Sequence, residues 1–229
     1  MNDYSELLEY YKKCFRLIDC FHFNSRTAQN VYQENLHLKN GRVLPITHSG
    51  INDNRHKKLW ETKILRIGFI GNTTPYKGLP LLIKVLKKMP DPKIWKLNIW
   101  GGKTGKEKNW PIYYRGKFDN RSVATVYGEM DVLIVPSIWK ETFGFVVLEA
   151  LSYGVPVIVS ENVGAKDIVK RYDERFVFTS ESELSALLKD IMNNRSLLED
   201  FNEKILNDKW KYSMKDHTEA ILKLYSSIK

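Results

Sequence analysis

Between residues 65 and 160, short and almost wholly apolar runs alternate with longer segments whose apolar residues recur every three or four positions. The first pattern predicts strands buried on both faces, the second amphipathic helices laid against them. Leu65–Gly71 is a strand closed by glycine, and Gly78–Met89 a helix in which Pro80 is acceptable only within the first turn. Lys96–Trp100 and Ile112–Arg115 follow as strands, separated by a loop that begins Gly101-Gly-Lys-Thr-Gly-Lys. Ser122–Met130 predicts a helix, Asp131–Pro136 a fourth strand, and Phe145–Tyr153 a helix stopped by Gly154 and Pro156. Val157–Ser160 and Arg175–Phe178 supply two more strands, and two or three helices fill Ser182–Ile228.

Upstream the texture differs. Residues 4–37 read as helical: Tyr4, Leu7, Leu8, Tyr11, Phe15 and Ile18 keep the spacing, and Thr27–Leu36 resumes it after the polar break Asn24-Ser25. Arg42–Ile46 is a short strand signal, and the polar, aperiodic stretch Ser49–Lys58 reads as a linker. Strands alternating with helices predict an α/β fold, a Rossmann-like doubly wound parallel sheet covered on both faces. Such sheets bind ligands beyond the carboxyl ends of their strands. The loops 71–78, 101–110, 116–121, 136–144 and 160–166 are therefore the places to look for chemistry.

Composition narrows the class without naming a function. The 229 residues are 43% hydrophobic and 28% charged, an ordinary globular balance that can bury a core without disulfide or metal staples. Cys14 and Cys20 fit neither a disulfide framework nor a zinc pattern, which points to a reducing, cytoplasmic setting. The acidic start lacks a signal-peptide core and no apolar run approaches the roughly 18 residues of a membrane span, so secreted scaffolds, channels and fibres are not expected.

Charge is more telling once divided. Residues 1–62 hold 9 basic and 7 acidic side chains, residues 63–140 hold 15 and 5, and residues 141–229 hold 12 and 15. The net +9 thus comes from the middle third, a block able to meet nucleic acid, an anionic bilayer or a phosphorylated substrate. Lys84, Lys87 and Lys88 read more simply as the wet face of a helix. Tyr113 and Tyr114 adjoin Arg115 but within a strand that reads as core, so a nucleic-acid partner rests on charge alone and is not expected.

Three stretches carry candidate chemistry. Trp100-Gly-Gly-Lys-Thr104 resembles a phosphate-binding loop, but Leu97 stands where that pattern needs glycine, and Gly105, Asn109 and Pro111 break the helix that should follow. There is no Gly-x-Gly-x-x-Gly, Asp-x-Asp, His-Glu-x-x-His or nucleophile elbow. In Gly71-Asn-Thr-Thr-Pro-Tyr-Lys-Gly78, a strand-end glycine allows a ligand close to the backbone, and Lys77 stands at the mouth of a helix where a phosphate would be welcome. Alone, that is equally a plain strand-to-helix turn.

The strongest stretch runs from Val135 to Pro156. A buried strand delivers a loop bearing Glu141, Gly144 opens a helix with free amide groups, and Glu149 lies about a turn and a half inside it. Carboxylates suit polyol hydroxyls, so loop acid, helix N-terminus and helix acid form a sugar–phosphate–ribose strip. Val146, Val147, Leu148, Ala150 and Leu151 make the helix apolar nearly all round, so Glu149 needs a partner.

The pattern Glu141-x-Phe-Gly-x-x-x-x-Glu149-Ala-Leu-x-x-Gly-x-Pro156 resembles the C-terminal, donor-binding half of GT-B glycosyltransferases, in particular retaining family four, the glycosyl transferases group 1. Gly71, Lys77-Gly78, Tyr127, Asp131, Pro136-Ser137, Pro156-Val157-Ile158 and Gly164 fall in register, and the resemblance covers roughly residues 42–195. It implies that the substrate is a nucleotide-diphosphate sugar, with no cofactor and no metal. Glu141 would contact the transferred sugar, the amides near Thr142, Phe143 and Gly144 the distal phosphate, and Glu149 the ribose. Lys77 would neutralise the leaving diphosphate beside Gly71, Asn72 and Thr73, with the turn Arg115-Gly116-Lys117 bordering the base. Glu141 and Lys77 are the two catalytic candidates.

Two departures matter. Asn72 stands where the family commonly has arginine, leaving Lys77, or a nearby lysine such as Lys103, to balance the diphosphate. The resemblance also implies a second, acceptor-binding half. Residues 1–51 read as only its helical remnant, including a last helix around Asp19–Leu36 and a last strand; 52–63 is a linker, 64–200 the donor domain, and 201–229 helices crossing back. Weak or absent transfer by this chain alone is expected, with a saccharide or lipid-linked acceptor, a separate acceptor-domain chain or a homodimer as partners, and a location in the cytoplasm or peripherally on the inner face of the plasma membrane. The alternative is a non-catalytic nucleotide-sugar-binding module or a subunit of a split enzyme. An exposed apolar patch is expected where the acceptor half should sit.

Overall fold

The apolar runs become the inner strands of one sheet, and the periodic segments become the helices that cover it. A computed structural model describes residues 3–36, 38–60, 62–119 and 121–228. The expected segment boundaries at 1 and 229, and the parts of the helical stretch, linker and 116–121 loop at residues 37, 61 and 120, lie outside the described residues.

In chain order the elements are α1 (Asp3–Phe15), β1 (Phe21–Phe23), α2 (Arg26–Leu36), β2 (Gly41–Val43), β3 (Leu65–Ile70) and α3 (Leu79–Lys87). Then come β4 (Trp95–Trp100), β5 (Thr104–Lys106), β6 (Ile112–Gly116), α4 (Val123–Gly128), β7 (Val132–Val135) and α5 (Phe145–Ser152). The chain closes with β8 (Val157–Ser160), α6 (Lys166–Tyr172), β9 (Val177–Phe178), α7 (Glu181–Asn193), α8 (Ser196–Asn207) and α9 (Met214–Ser226).

The main sheet has seven strands in the order β5-β6-β4-β3-β7-β8-β9. Every pair is parallel except β5, which runs antiparallel along β6. From β3 the chain builds outward through β4 to β6, then returns to β7 on the other side of β3 and continues to β8 and β9. The order reverses between β3 and β7, which places the crevice of a doubly wound sheet at the ends of those two strands. Their side chains explain the central position: Ile67, Leu97, Val132, Leu133, Ile134, Val157 and Ile158 are fully buried. Strands this apolar on both faces are stable only between two layers of helices.

Four sequence expectations need correction. Phe21–Phe23 is a strand, not part of the last helix, which begins at Arg26. It pairs in parallel with β2 from Phe21↔Gly41 to Phe23↔Val43, and Phe23, Ala28 and Leu38 form a small separate core. Part of the glycine-rich loop after β4 is the edge strand β5, held by β6 although all three of its residues are exposed. Helix α6 was not expected; Ile168, Val169 and Tyr172 turn one face inward. The polar stretch read as a linker is packed down. Ile51 and Lys58 are 1% and 4% exposed, and Asn202 of α8 accepts from the Lys58 amide (3.2 Å) and donates to the carbonyls of His56 (3.2 Å) and Gly154 (2.7 Å).

The boundary expected at 200 falls inside α8, whose Leu198, Phe201 and Ile205 are fully buried in the main core. The segment between α8 and α9, and α9 itself, approach the N-terminal unit: Thr47 donates to the Tyr212 carbonyl (2.6 Å), and the His22 and His217 rings lie 6.4 Å apart. Tyr4, Leu7, Tyr10 and Leu17 in and just after α1, with Leu222 and Tyr225 on α9, are exposed. Among the described residues no helix is long and apolar enough to cross a membrane.

Candidate functional site

At the reversal point, Gly71 ends β3 and the loop after β7 folds over it. Between them is a cleft of about 150 Å³ lined by Gly71, Lys77, Ser137, Glu141, Gly144 and Phe145, among others. Lys77 arrives on a short 3-10 turn, Pro75–Lys77, that Gly78 converts into α3. Gly78 has φ 78°, and a Cβ there would stand 1.7 Å from the Pro136 carbonyl oxygen. Only glycine lets the lysine-bearing turn approach the end of β7 so closely.

Glu141 is fixed through its backbone as well as its side chain. Its amide donates to the Asn162 carbonyl at 2.9 Å, forming a single parallel bridge with Val163 beside β8. The side chain is 9% exposed; Oε1 accepts from Lys77 Nζ at 2.6 Å and from the Ser137 hydroxyl. Oε2 accepts nothing among the described residues. The carboxylate is thus oriented by one oxygen and has the other available, which is the arrangement a hydroxyl-bearing ligand can use.

The helix α5 opens at Gly144, whose φ of 97° is left-handed and whose missing side chain leaves the first turn uncapped. Its leading amide groups are therefore open to an anion. Phe143 is buried and its carbonyl accepts from Ala165 (2.7 Å), while Thr142 is exposed and its carbonyl accepts from Ser25 Oγ of the N-terminal unit (2.5 Å).

Glu149 stands one turn beyond Phe145 on α5, on the flank of the cleft. The partner that the apolar surroundings demanded is double. Oε2 accepts from the Tyr127 hydroxyl at 2.7 Å, and Oε1 lies 3.2 Å from His48 Nε2. Burial, then the neighbouring Glu149 charge, holds the Tyr127 phenol well above its ordinary pKa, so it remains a donor. His48 Nδ1 accepts from the Gly50 amide at 3.1 Å, so in the neutral ring the proton is on Nε2 and points to Glu149. His48 also packs edge-on against Phe145, centroids 5.2 Å apart.

The remaining candidates are not gathered into the cleft. Asn72 and Thr73 are exposed, and Asn72 Oδ1 accepts from the Thr74 amide (3.4 Å) and hydroxyl, closing its own turn. Arg115 is exposed at the end of β6, donating to Asn98 Oδ1 (2.9 Å) with its guanidinium 5.2 Å from the Tyr113 ring; Gly116 beside it is buried. Lys103 lies over the Tyr114 ring (4.5 Å), in a groove with Thr73, Pro80 and Ile83. Of the whole basic block, Lys77 alone lines the cleft. Lys84 and Lys88 instead reach Glu181 of α7, both at 2.7 Å, as a solvated helix face does. Asp131 is structural, accepting from the Arg66 amide (2.7 Å) and guanidinium (2.6 Å) at the other end of the sheet.

Sequence reasoning missed His48, which lies between the strand signal Arg42–Ile46 and the polar stretch Ser49–Lys58, and did not assign roles to Ser137 and Tyr127. The unpaired Glu149 on an apolar helix was the signal that a partner existed; nothing local in sequence said which. Among the described residues, no group of three or more His, Cys, Asp or Glu side chains could hold a metal ion.

Residues 50–208 match the family model described as Glycosyl transferases group 1. Over 124 residues the chain is 34% identical to an uncharacterized 41.2 kDa protein in the cps region of Klebsiella pneumoniae, covering 50% of this chain and 34% of that one. A glycogen synthase of Alkaliphilus metalliredigens is 28% identical over 189 residues, 73% of this chain and 39% of the other. The fold is similar to that of Anabaena HepE, solved in complex with UDP and glucose, with a TM-score of 0.75 at 17% identity over 96% of this chain and 66% of that one. The chain therefore spans between about a third and two fifths of the length of these two curated relatives.

Proposed function

This chain belongs to the glycosyl transferases group 1 family, and from that premise we propose that it binds a nucleotide-diphosphate sugar as the donor half of a retaining, metal-independent glycosyl transfer to a saccharide or lipid-linked acceptor. The observation that carries this reading is Glu141 at the strand-order reversal, one oxygen held by Lys77 and Ser137, the other open, beside the uncapped N-terminus of α5.

In this reading Glu141 Oε2 accepts from hydroxyls of the transferred sugar, and the first amides of α5 hold the distal phosphate. Lys77 exchanges Glu141 for the diphosphate when the donor arrives. It then stabilises the charge that grows on the leaving oxygen, which is where fixed cations contribute most to rate. The bond from the sugar's anomeric carbon to the phosphate oxygen breaks, the bond to the acceptor oxygen forms on the same face, and the departing phosphate takes the acceptor's proton. Glu149, held by Tyr127 and His48, receives the ribose hydroxyls, and the Arg115–Gly116 turn borders the base, with Asn72 and Thr73 at the near rim.

Residues 1–51 belong with the acceptor half, 52–63 join the halves, the donor domain runs from 64 to the end of α8 at Asn207, and the chain beyond it crosses back. A second reading, a nucleotide-sugar-binding module or one subunit of a split enzyme working with an acceptor-domain chain, a second copy or a membrane-bound acceptor, is favoured by Asn72 occupying the position of a phosphate-binding arginine.

Titration calorimetry with UDP, GDP and their sugar conjugates tests the reading. Saturable binding of at least one is expected, and Glu141→Ala should weaken a sugar conjugate about tenfold, through loss of a charge-assisted hydrogen bond, while moving the bare nucleotide less. A folded sample that binds none of them overturns it.

A further inference from the structure

The loop that brings Lys77 and the loop that brings Glu141 touch each other outside the cleft as well as within it. Their backbones meet where Gly78 passes the Pro136 carbonyl, and again where the Ile138 amide donates to the Tyr76 carbonyl at 3.0 Å. At the outer edge the contact is made by side chains. The Tyr76 and Trp139 rings stand 4.6 Å apart, tilted by 43°. The Lys77 ammonium lies over the Trp139 ring, 5.9 Å from its centroid, while it donates to Glu141 at 2.6 Å.

Burial does not account for this aromatic pair. Trp139 is 49% exposed, Tyr76 and Ile138 are exposed beside it, and none of the three is part of the main core. An indole left half in water contributes little to folding, because much of its apolar surface stays wet. Loop residues of this kind, placed by a rigid scaffold, serve binding and catalysis more often than packing. Trp139 is also not among the residues that line the cleft, so its route to the site is through Lys77.

What the ring does there follows from charge. The face of an indole is negative and attracts an ammonium within about 6 Å of its centroid. Unlike Glu141, the ring is neutral, so it holds the ammonium without cancelling its charge or competing with a phosphate for its protons. A lysine side chain has many rotamers to lose when a ligand fixes it. A wall that confines it beforehand removes part of that cost, which is the general benefit of preorganisation. The other lysine–ring contacts among the described residues, Lys87 on Trp110, Lys103 on Tyr114 and Lys106 on Tyr113, all involve lysines outside the cleft. We infer that Trp139 is a positioning residue: backed by Tyr76, it confines the Lys77 ammonium at the mouth of the cleft and so raises affinity for the diphosphate of a nucleotide without touching that ligand. The diphosphate part of the inference rests on the donor reading given above; the pairing of Trp139 with Lys77 does not.

The test is a double-mutant cycle in the whole chain. Trp139→Leu keeps apolar bulk and removes the π face, Lys77→Met removes the charge, and Trp139→Phe is the conservative variant. Binding of UDP and of uridine is followed by amide shifts of nitrogen-15-labelled protein, a readout that also captures weak binding. With Lys77 present, Trp139→Leu should weaken UDP about two- to fivefold, and Trp139→Phe less than about twofold. With Lys77→Met, Trp139→Leu should add no further loss. Uridine, which offers Lys77 no phosphate, should bind the parent and Trp139→Leu alike. UDP bound equally by the parent and Trp139→Leu overturns the inference, and so does an additive cycle or an equal loss of uridine and UDP. A merely structural role, or direct contact of the ring with the ligand, would give one of the last two results. If the parent binds no UDP, the donor reading falls, and the same cycle is read on the unfolding midpoint in urea. There, a smaller effect of Trp139→Leu once Lys77 is replaced upholds the pairing, and additive effects remove it as well.

Discussion

Two carboxylates define the site, and each is oriented by hydrogen bonds from its neighbours. For Glu149 the holding groups are testable independently of the ligand. Tyr127 is fully buried and its only role at Glu149 is one hydrogen bond, so Tyr127→Phe deletes that bond and little else. A hydrogen bond to a charged group contributes about 1.5–3 kcal/mol. Some of that loss is to be expected as a freer carboxylate, and UDP affinity should fall about three- to tenfold with a modest drop in melting temperature. His48→Gln keeps a donor near Glu149 but loses the ring packing on Phe145, and should have the smaller effect. If calorimetry finds UDP binding unchanged in both variants, Glu149 is not the ribose ligand.

At the scale of elements, the turns that place Lys77 and Glu141 depend on two left-handed glycines under different constraint. At Gly144 an added Cβ would meet Val163 Cγ1 at 3.0 Å, a contact that a small side-chain shift relieves, so the backbone conformation sets most of the penalty, about 1–2 kcal/mol. At Gly78 the clash is with the Pro136 carbonyl itself, at 1.7 Å, and cannot be relieved without moving β7 away from α3. Thermal unfolding should therefore rank Gly78→Ala well below Gly144→Ala; equal stability of the two would contradict the packing described.

The packed strap between the N-terminal unit and β3 carries a second prediction at this scale. Lys58 is buried with Nζ 3.0 Å from the Tyr127 carbonyl. Burial, then the nearby Arg66 charge, brings its pKa down to about 8. A lysine whose folded pKa is below its unfolded value of 10.5 sheds its proton more readily in the native state. The unfolded chain then binds more protons between those values, so this group's contribution to stability rises with pH from about 8 to 10.5 and is at its most unfavourable below 8. Lys58→Met abolishes that dependence. Relative to the parent, it should gain on the order of 3 kcal/mol less at pH 10.5 than at pH 7, since each pKa unit is worth about 1.4 kcal/mol. Parallel urea denaturation curves for the two proteins at both pH values decide the matter.

The same strap shows why sequence patterning read some elements and not others. The inner strands were legible because Val132–Val135 and Val157–Ser160 are apolar on both faces, and nothing except a covered parallel sheet accounts for that. Phe21-His22-Phe23 is too short to establish a period of two, and it lies between residues that happen to keep helical spacing. Thr104-Gly-Lys106 has no apolar residue at all; its strand character comes from the neighbour β6. The strap was read as a linker because its residues are polar, yet its groups are paired by Asn202 from 144 positions further along the chain. The site followed the same rule. Glu141 and Gly144 were legible because chemistry and turn are local, whereas His48 meets Glu149 from 101 positions away along the chain.

For the whole molecule, the decisive feature is how little of the N-terminal unit's surface is covered by its own chain. β1 and β2 make a two-stranded parallel sheet, an arrangement with two open edges that is marginal without further strands. Beside it, Tyr4, Leu7, Tyr10 and Leu17 are between 51% and 85% exposed, and α9 presents Leu222 and Tyr225 at 59% and 65%. Large apolar side chains this exposed along one helix mark a surface that associates. The purified chain should therefore self-associate as concentration rises, which sedimentation velocity will read directly. The double variant Leu7→Lys, Leu17→Lys should remain monomeric while binding UDP as the parent does, because neither position lines the cleft. On the reading that this face packs against an acceptor-binding half, transfer by the chain alone should be weak or absent. An assay with a radiolabelled nucleotide sugar and simple methyl glycosides measures this, and rapid turnover by the monomeric variant would overturn that reading.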